Sequence, residues 1–130
     1  MRPTSMARVL VIDDDEILRG TLVQTLASAG HVAVSASDGF EGATLFRKDP
    51  TDLILIDLNM PYGGLQTIRV LRAEFPKLAI IAMSGNQSQL SMAGAIGANR
   101  ILPKPFTFPQ LDETMIAVLG PTGGAAPVKP

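Results

Sequence analysis

The sequence predicts an α/β protein with a doubly wound, five-stranded parallel sheet and helices on both faces. One observation behind this prediction is the aliphatic run from Leu53 to Ile56. Such a run cannot alternate between core and solvent, so it indicates a strand that is covered on both faces. Another is the strict alternation of five strand-like and five helix-like segments along the chain. Because parallel strands need right-handed crossovers and five strands are too few to close a barrel, an open sheet is favoured.

The first half of the chain carries three strand signals and two helix signals. Apolar runs predict strands at residues 7–12, 31–36 and 53–56, and the less apolar second strand belongs nearer a sheet edge. A helix should begin at Glu16 and stop at Gly30. The predicted inward face of this helix consists of Leu18, Leu22, Leu26 and Ala29, with Ile17 beside them. A second helix should start at a capping box formed by Asp38 and Glu41 and end near Asp49.

The second half of the chain repeats the same alternation. A loop containing Gly63 and Gly64 leads to a third helix that Pro76 stops. The inward residues predicted for it are Leu65, Ile68, Leu71 and Phe75. Strands follow at residues 78–83 and 100–102, separated by a helix over about 88–96 that contains few strong helix formers and should be the least stable. Thr107 and Gln110 predict a capping box for the last helix, whose inward residues are Leu111, Met115, Val118 and Leu119.

Composition narrows the class of protein. The 130 residues suit one domain with a sizeable core, which is mainly aliphatic because hydrophobic residues make up 46% of the chain and aromatic residues 5%. The absence of cysteine excludes disulfides and thiolate metal sites. A net charge of -1 supplies no basic field for nucleic acid. No apolar run approaches the roughly 18 residues that span a bilayer, and no signal peptide is evident, so a cytoplasmic protein is expected.

Three segments are predicted along the chain. Residues 1–6 form a short polar N-terminal tail, and residues 7–119 form the folded domain. Residues 120–130 are rich in glycine and proline and lack periodicity, so they indicate a disordered tail or the stub of a linker.

Polar side chains that can carry chemistry follow four of the five predicted strands. They are Asp13, Asp14, Asp57, Ser84 and Lys104. In a parallel sheet these positions project from one edge, where open α/β sheets bind their ligands. Clustered carboxylates repel one another unless a cation neutralises them, and oxygen ligands without His or Cys favour Mg²⁺, with Mn²⁺ as an alternative. Such an edge suits phosphoryl transfer with a carboxylate as nucleophile.

Each of these residues also has an ordinary structural explanation. The acidic residues 13–15 precede a helix, where negative charge is favourable. Asp57 can cap a turn, Ser84 can be a turn residue and Lys104 can be solvated. The single histidine, His31, is interpreted as an edge-strand residue. What these explanations leave unexplained is why the reactive side chains fall at successive strand ends, and this joint placement favours a functional site.

The motifs at the strand ends resemble those of response-regulator receiver domains, which include the chemotaxis regulator. Residues 11–15 resemble the acidic pair of that family, and residues 56–61 its phosphoacceptor segment. Residues 83–85 match its hydroxyl-plus-small-residue step, and residues 103–106 its lysine-proline signature. The resemblance covers about residues 7–119 and implies the flavodoxin-like receiver fold.

The resemblance implies a role for each site residue. Asp57 would accept a phosphoryl group from a phosphohistidine. Asp14 and Asp57 would bind Mg²⁺ directly, Asp13 would bind it through water, and the main-chain carbonyl of Asn59 would complete the protein ligands. Lys104 would pair with Asp57 and then with the phosphoryl oxygens. The peptide bond between Lys104 and Pro105 would be cis, as is usual in the family. Ser84 would move to hydrogen-bond the phosphoryl group, for which Gly85 leaves room, and the side chains of Asn59 and Asn86 would tune hydrolysis.

The resemblance also implies partners. The donor would be a sensor histidine kinase or a histidine phosphotransfer protein, and the signal would pass to an output protein or output domain. The domain itself would contact neither nucleic acid nor membrane, and it would be a monomer or a phosphorylation-dependent dimer. It would not be an enzyme beyond its own phosphorylation and dephosphorylation.

Two features depart from the family pattern. Receiver domains usually have an aromatic residue three positions before the conserved lysine, whereas this chain has Ile101, so the usual hydroxyl-to-aromatic switch is not expected. The loop at residues 61–64 is one residue shorter than usual and places Tyr62 near the phosphorylation edge, where it would gate access or contact a kinase.

Two other functions fit parts of the pattern. A small Mg²⁺-dependent phosphohydrolase with an aspartate nucleophile would share the Asp-x-Asp spacing of Asp13 and Asp15, but 130 residues leave no cap domain for substrate choice. A pseudo-receiver would keep the fold as an interaction scaffold without phosphorylation, but such domains tend to lose the acidic pair or the acceptor. A nucleotide-binding domain is disfavoured because no glycine-rich phosphate loop follows the first strand.

Overall fold

Five strands alternate with five helices in the computed structural model of the protein, which describes residues 7–61 and 63–120. The strands are β1 (Arg8–Ile12), β2 (Val32–Ala36), β3 (Leu53–Asp57), β4 (Ala79–Ser84) and β5 (Arg100–Pro103). The helices are α1 (Glu16–Ser28), α2 (Gly39–Lys48), α3 (Gly64–Glu74), α4 (Gln87–Ile96) and α5 (Phe108–Leu119). Predictions for residues 1–6, Tyr62 and residues 121–130 lie outside the described residues.

The strands form one parallel sheet in the order β2-β1-β3-β4-β5. This order confirms the predicted doubly wound fold and places β2 at an edge, as its weaker apolar character indicated. The chain reverses its direction of winding between β1 and β3, and ligand crevices in such sheets open at the carboxyl ends of the strands around that point.

The central strand β3 is buried along its whole length, as the aliphatic run predicts. It pairs with β1 on one side and with β4 on the other, and its last residue is Asp57. A buried strand that ends in a carboxylate therefore delivers that carboxylate to the floor of the crevice.

Two apolar cores lie on opposite faces of the sheet. Alternate strand residues such as Leu10, Ile54 and Ile80 pack on one face with residues of α2, α3 and α4. The intervening residues, such as Leu55 and Met83, pack on the other face with α1 and α5. Because successive side chains of a strand point to opposite faces of the sheet, each strand contributes apolar residues to both cores.

The prediction for α1 is partly wrong. Leu22 and Leu26 are buried, but Ala29 follows the helix as its C-cap, and Ile17 is 82% exposed. Successive helical residues are about 100° apart around the axis. Ile17 therefore projects away from the sheet.

Two local predictions shift by about one residue. His31 lies just before β2 rather than within it, is buried, and accepts a hydrogen bond at Nδ1 from the Ala7 N–H. Asp38 caps α2, but the Glu41 carboxylate accepts from the Ser37 N–H, one residue earlier than in a capping box. The capping box predicted for α5 is present in full.

The amino edge of the sheet is held together by Arg72, a residue of α3. Its guanidinium donates hydrogen bonds to the Gly97 carbonyl at 2.8 Å and to the Asn99 side-chain oxygen at 2.8 Å. The same Asn99 oxygen accepts from the Ile80 N–H at the start of β4. The C-terminal end of α4, which Gly97 caps, is thereby tied to α3 and to the sheet.

Candidate functional site

Three carboxylates meet at the carboxyl edge of the sheet. One oxygen each from Asp13, Asp14 and Asp57 lies within 4.8 Å of the others, although Asp57 is more than 40 positions away in the chain. Asp13 and Asp57 are buried, whereas Asp14 is exposed. The topology achieves this meeting because β1 and β3 are neighbours and end at the same level.

Lys104 forms an ion pair with Asp57. Its Nζ lies 3.1 Å from Asp57 Oδ1, and the Asn59 N–H donates to the same oxygen at 3.2 Å. Lys104 follows β5 directly, and its bond to Pro105 is cis, as the family resemblance implies. The ammonium group thus reaches the crevice from a strand two positions away from β3 in the sheet.

The carboxyl group of Asp13 is buried in a position that disfavours its negative charge. Burial, with a smaller contribution from the negative charge of Asp57, raises the pKa of Asp13 to about 6. A hydrogen bond from the Asp15 N–H at 2.9 Å and the charge of Lys104 act in the opposite direction. Asp13 Oδ2 is buried and accepts no hydrogen bond from the described residues. A bound cation at the three carboxylates would relieve both features.

The donor set therefore fits a hard divalent cation. Three carboxylate groups whose oxygens lie within 4.8 Å of one another, together with the buried Asp13 Oδ2 that has no hydrogen-bond partner among the described residues, provide the ligand chemistry that Mg²⁺ takes from proteins. His31, the one histidine of the chain, lies at the opposite end of β2 from the crevice, so the described site has no nitrogen ligand of that kind.

The acidic triplet divides into two roles. Asp15 caps α1, because its Oδ1 accepts hydrogen bonds from the Ile17 and Leu18 N–H groups. Asp13 and Asp14 remain at the crevice. The helix-start explanation considered for the triplet thus applies to its third member.

Ser84 ends β4, next to β3, and is fully buried. Its hydroxyl accepts from the Asn86 N–H at 2.9 Å and donates to Gln89 Oε1, also at 2.9 Å. The hydroxyl is thus engaged with the first turns of α4. Beside it, a Cβ placed on Gly85 would meet no atom within 4 Å, so the space over this residue is open.

Close packing also brings α3 to the crevice. A Cβ on Gly64, the first residue of α3, would lie 2.6 Å from the Asp57 carbonyl oxygen and 2.9 Å from Leu58 Cα. These neighbours are backbone atoms that cannot rotate away. Gly64 is therefore required for the start of α3 to lie against the end of β3.

Ile101, which stands where the family pattern has an aromatic residue, lies in β5 and is 36% exposed. Its side chain is neither planar nor able to accept or donate a hydrogen bond. The structure gives it no polar link to Ser84 within the described residues.

Two residues near the crevice were missed by sequence reasoning. Arg19 of α1 donates to the Asp13 carbonyl at 2.7 Å, and Gln89 of α4 binds the Ser84 hydroxyl. Arg19 lies six positions after Asp13, and Gln89 lies five positions after Ser84. In both cases the beginning of a helix contacts the end of the strand that precedes it. A search for polar residues in the first turns of those helices would have found both.

Comparison with known proteins identifies the family. The family model for the response regulator receiver domain matches residues 9–116. The response regulator MprA of Mycolicibacterium vanbaalenii is 34% identical over 115 residues, which cover 86% of this chain and 50% of that protein. MprA of Mycobacterium ulcerans is 33% identical with the same coverage. The chain thus spans about half the length of the curated relatives it matches.

Solved structures agree with this result. The chemotaxis protein CheY4 of Vibrio cholerae has a TM-score of 0.82 and 30% identity, covering 88% of this chain and 100% of that one. The response regulator TrrA of Thermotoga maritima, solved in complex with Mg²⁺ and BeF, has a TM-score of 0.81 and 28% identity, with the same coverage. No helix among the described residues is long and apolar enough to span a membrane. Since the family model covers most of the chain and the solved structure of a similar protein shares its fold, the chain belongs to the response regulator receiver domains of two-component signalling.

Proposed function

We propose that Asp57 is the phosphoacceptor of this receiver domain and takes a phosphoryl group from a phosphohistidine. The observation that carries the proposal is the environment of Asp57. It ends the central strand, lies within 4.8 Å of two further carboxylates and pairs with Lys104 at 3.1 Å. A buried carboxylate with a cation on one side and a candidate cation site on the other is suited to act as a nucleophile toward phosphorus.

In the proposed step, a carboxylate oxygen of Asp57 attacks the phosphorus atom of the donor. The O–P bond forms as the N–P bond of the phosphohistidine breaks, which leaves an acyl phosphate on Asp57 and a free imidazole on the donor. Lys104 Nζ follows the negative charge from the carboxylate to the phosphoryl oxygens, and the Asn59 N–H holds the carboxylate in place.

Asp13, Asp14 and Asp57 would hold Mg²⁺, with Mn²⁺ as a possible substitute, and the Asn59 carbonyl is proposed as the remaining protein ligand. When bound, the ion supplies positive charge for the carboxylates and for the phosphoryl oxygens. The raised pKa of Asp13 and its orphaned Oδ2 support this assignment.

Two further roles are proposed for residues near the acyl phosphate after it has formed on Asp57. The Ser84 hydroxyl would donate a hydrogen bond to a phosphoryl oxygen, and the open space over Gly85 would receive the group. Asn59 and Asn86 are both exposed, and their side chains are proposed to affect how readily water reaches the acyl phosphate.

The proposed partners follow from this chemistry. The donor is a sensor histidine kinase or a histidine phosphotransfer protein, and an output protein or output domain receives the signal in a cytoplasmic pathway. Residues 7–119 are the proposed receiver unit, acting as a monomer or as a dimer after phosphorylation. We propose chemistry confined to self-phosphorylation and self-dephosphorylation, without turnover of free phosphoesters.

The test is intact mass spectrometry after incubation with acetyl phosphate. The parent chain should gain one phosphoryl group in Mg²⁺ and none in EDTA, and Asp57→Asn should gain none under either condition. Asp112→Asn, the same change on α5, is the matched control and should behave as the parent.

The same test discriminates between candidate functions. No gain from acetyl phosphate or from a phosphorylated histidine kinase would overturn the proposal in favour of a scaffold without phosphorylation. Steady release of phosphate from free phosphoesters would favour the phosphohydrolase.

A further inference from the structure

In the structure, the Ser84 hydroxyl already has two hydrogen-bond partners. It accepts a hydrogen bond from the Asn86 N–H and donates its one proton to Gln89 Oε1, each at 2.9 Å. Ser84 is fully buried, so no bulk water competes for this proton. Gln89 in turn lies in α4, where its own N–H is bound by the Asn86 side chain that caps the helix.

A hydroxyl group has a single proton to donate. The oxygens of an ionised acyl phosphate accept hydrogen bonds, so Ser84 can bind a phosphoryl group only by donating that proton. The bond to Gln89 and the bond to a phosphoryl oxygen are therefore mutually exclusive. Whatever the geometry of the phosphorylated state, Gln89 Oε1 must lose its present partner when Ser84 gains the new one.

We infer that Gln89 is a positioning residue that holds the Ser84 hydroxyl in its unphosphorylated orientation and competes with the phosphoryl group for its proton. This inference rests on the proposed function, because it concerns the phosphorylated state of Asp57. It provides a physical link from the phosphoryl group to α4 that needs no aromatic residue. The link runs from Ser84 to the first turn of α4, whereas Ile101 of β5 has no polar atom in its side chain.

The strength of the competition follows from the bonds exchanged. A neutral hydrogen bond contributes a net amount that corresponds to about a two- to tenfold change in an equilibrium constant. Removing the acceptor on Gln89 should therefore strengthen binding of a phosphoryl mimic by about two- to tenfold. Replacing it with a carboxylate, a stronger acceptor, should weaken binding by a similar or larger factor.

The experiment uses beryllofluoride with Mg²⁺ as the phosphoryl mimic and follows its binding to the full chain by ¹⁵N NMR. The backbone amides of Asn86 and Gln89 are the reporters. Gln89→Leu, which keeps the size of the side chain, should bind the mimic about two- to tenfold more tightly than the parent. Gln89→Glu should bind it more weakly. Gln87→Leu, the same change at an exposed position of the same helix, should match the parent.

A double-mutant cycle separates competition for the proton from general effects on α4. In a Ser84→Ala background the proton is absent, so Gln89→Leu should no longer change affinity for the mimic. Equal tightening in both backgrounds, or no tightening in the Ser84 parent, would overturn the inference while leaving the proposed function intact.

The failure of the proposed function has a different signature. A parent chain that neither binds beryllofluoride nor gains a phosphoryl group on Asp57 would overturn that function, and the inference with it. Circular dichroism of each variant confirms that the compared proteins are folded.

Discussion

Replacing Asp13 with asparagine should stabilise the metal-free protein. Asp13 is fully buried beside Asp57, and its Oδ2 accepts no hydrogen bond from the described residues. Asparagine keeps an oxygen for the Asp15 N–H but carries no charge. The change therefore removes the cost of burying a carboxylate while it preserves most of the local geometry.

The pKa of Asp13 sets the size of this effect. A rise from the ordinary value of 3.8 to about 6 corresponds to about 3 kcal/mol at pH 7, since each pKa unit is about 1.4 kcal/mol. The asparagine loses the stronger hydrogen bond that a carboxylate accepts from Asp15, so a net gain of about 1–3 kcal/mol is expected.

The raised pKa of Asp13 also determines how the free energy of unfolding changes with pH. Because the pKa of Asp13 is higher in the folded chain than in the unfolded one, the folded chain binds more protons between about pH 4 and pH 6. This group therefore lowers the free energy of unfolding as the pH rises through that window. The advantage of Asp13→Asn over the parent should be small near pH 4, grow up to about pH 6 and then level off.

Urea denaturation followed by circular dichroism in EDTA, from pH 4 to pH 7.5, measures this difference. Asp112→Asn on α5 is the control and should change stability by less than about 0.5 kcal/mol. Added Mg²⁺ should stabilise the parent more than Asp13→Asn and so narrow the gap between them. A gap at pH 7 that is absent, reversed or the same at pH 4 would refute the reasoning.

Two further predictions concern packing and capping. Gly64→Ala places a Cβ against the Asp57 carbonyl, so it should lower the free energy of unfolding by about 1–3 kcal/mol and slow phosphorylation. Gly94→Ala in α4 places a Cβ in open space, so it should raise the free energy of unfolding by about 0.5–1 kcal/mol. Equal effects of the two alanines in thermal denaturation would contradict the packing argument. Thr107→Ala removes the cap of α5 and should cost about 1 kcal/mol, with Thr107→Ser as the control that restores it; an unchanged melting temperature for Thr107→Ala would show that the cap contributes nothing.

Much of the fold could be predicted because its determinants are local. Four aliphatic residues in succession indicate a strand that is buried on both faces, and β3 is such a strand. The caps at Asp38 and Thr107 mark helix starts through side chains that bind amides three residues away. These signals depend on short sequence separations and survive in any tertiary context that buries the apolar faces.

Other features depend on orientation, which sequence patterns do not contain. The apolar pattern groups Ile17 with an inward face, yet one residue of helical rotation turns it to solvent. The helix-start explanation treats the acidic residues 13–15 alike, but Asp15 caps α1 while Asp13 faces the crevice. The strand ends predicted which side chains could meet at the crevice. They did not predict that Ser84 would bind Gln89, because its partner depends on the rotamers of both side chains.

The two ends of α4 are held with unequal strength. At its C-terminal end the charged guanidinium of Arg72 holds the Gly97 carbonyl and Asn99, whereas a neutral hydrogen bond from Ser84 to Gln89 lies near its N-terminal end. A helix of ten residues is about 15 Å long, so a rotation of about 10° about the Arg72 end moves the first turn by about 2.6 Å. The helix is therefore expected to rotate about its C-terminal end at Gly97. In this domain, the largest displacement on signalling would then occur beside the crevice and decrease toward the amino edge of the sheet.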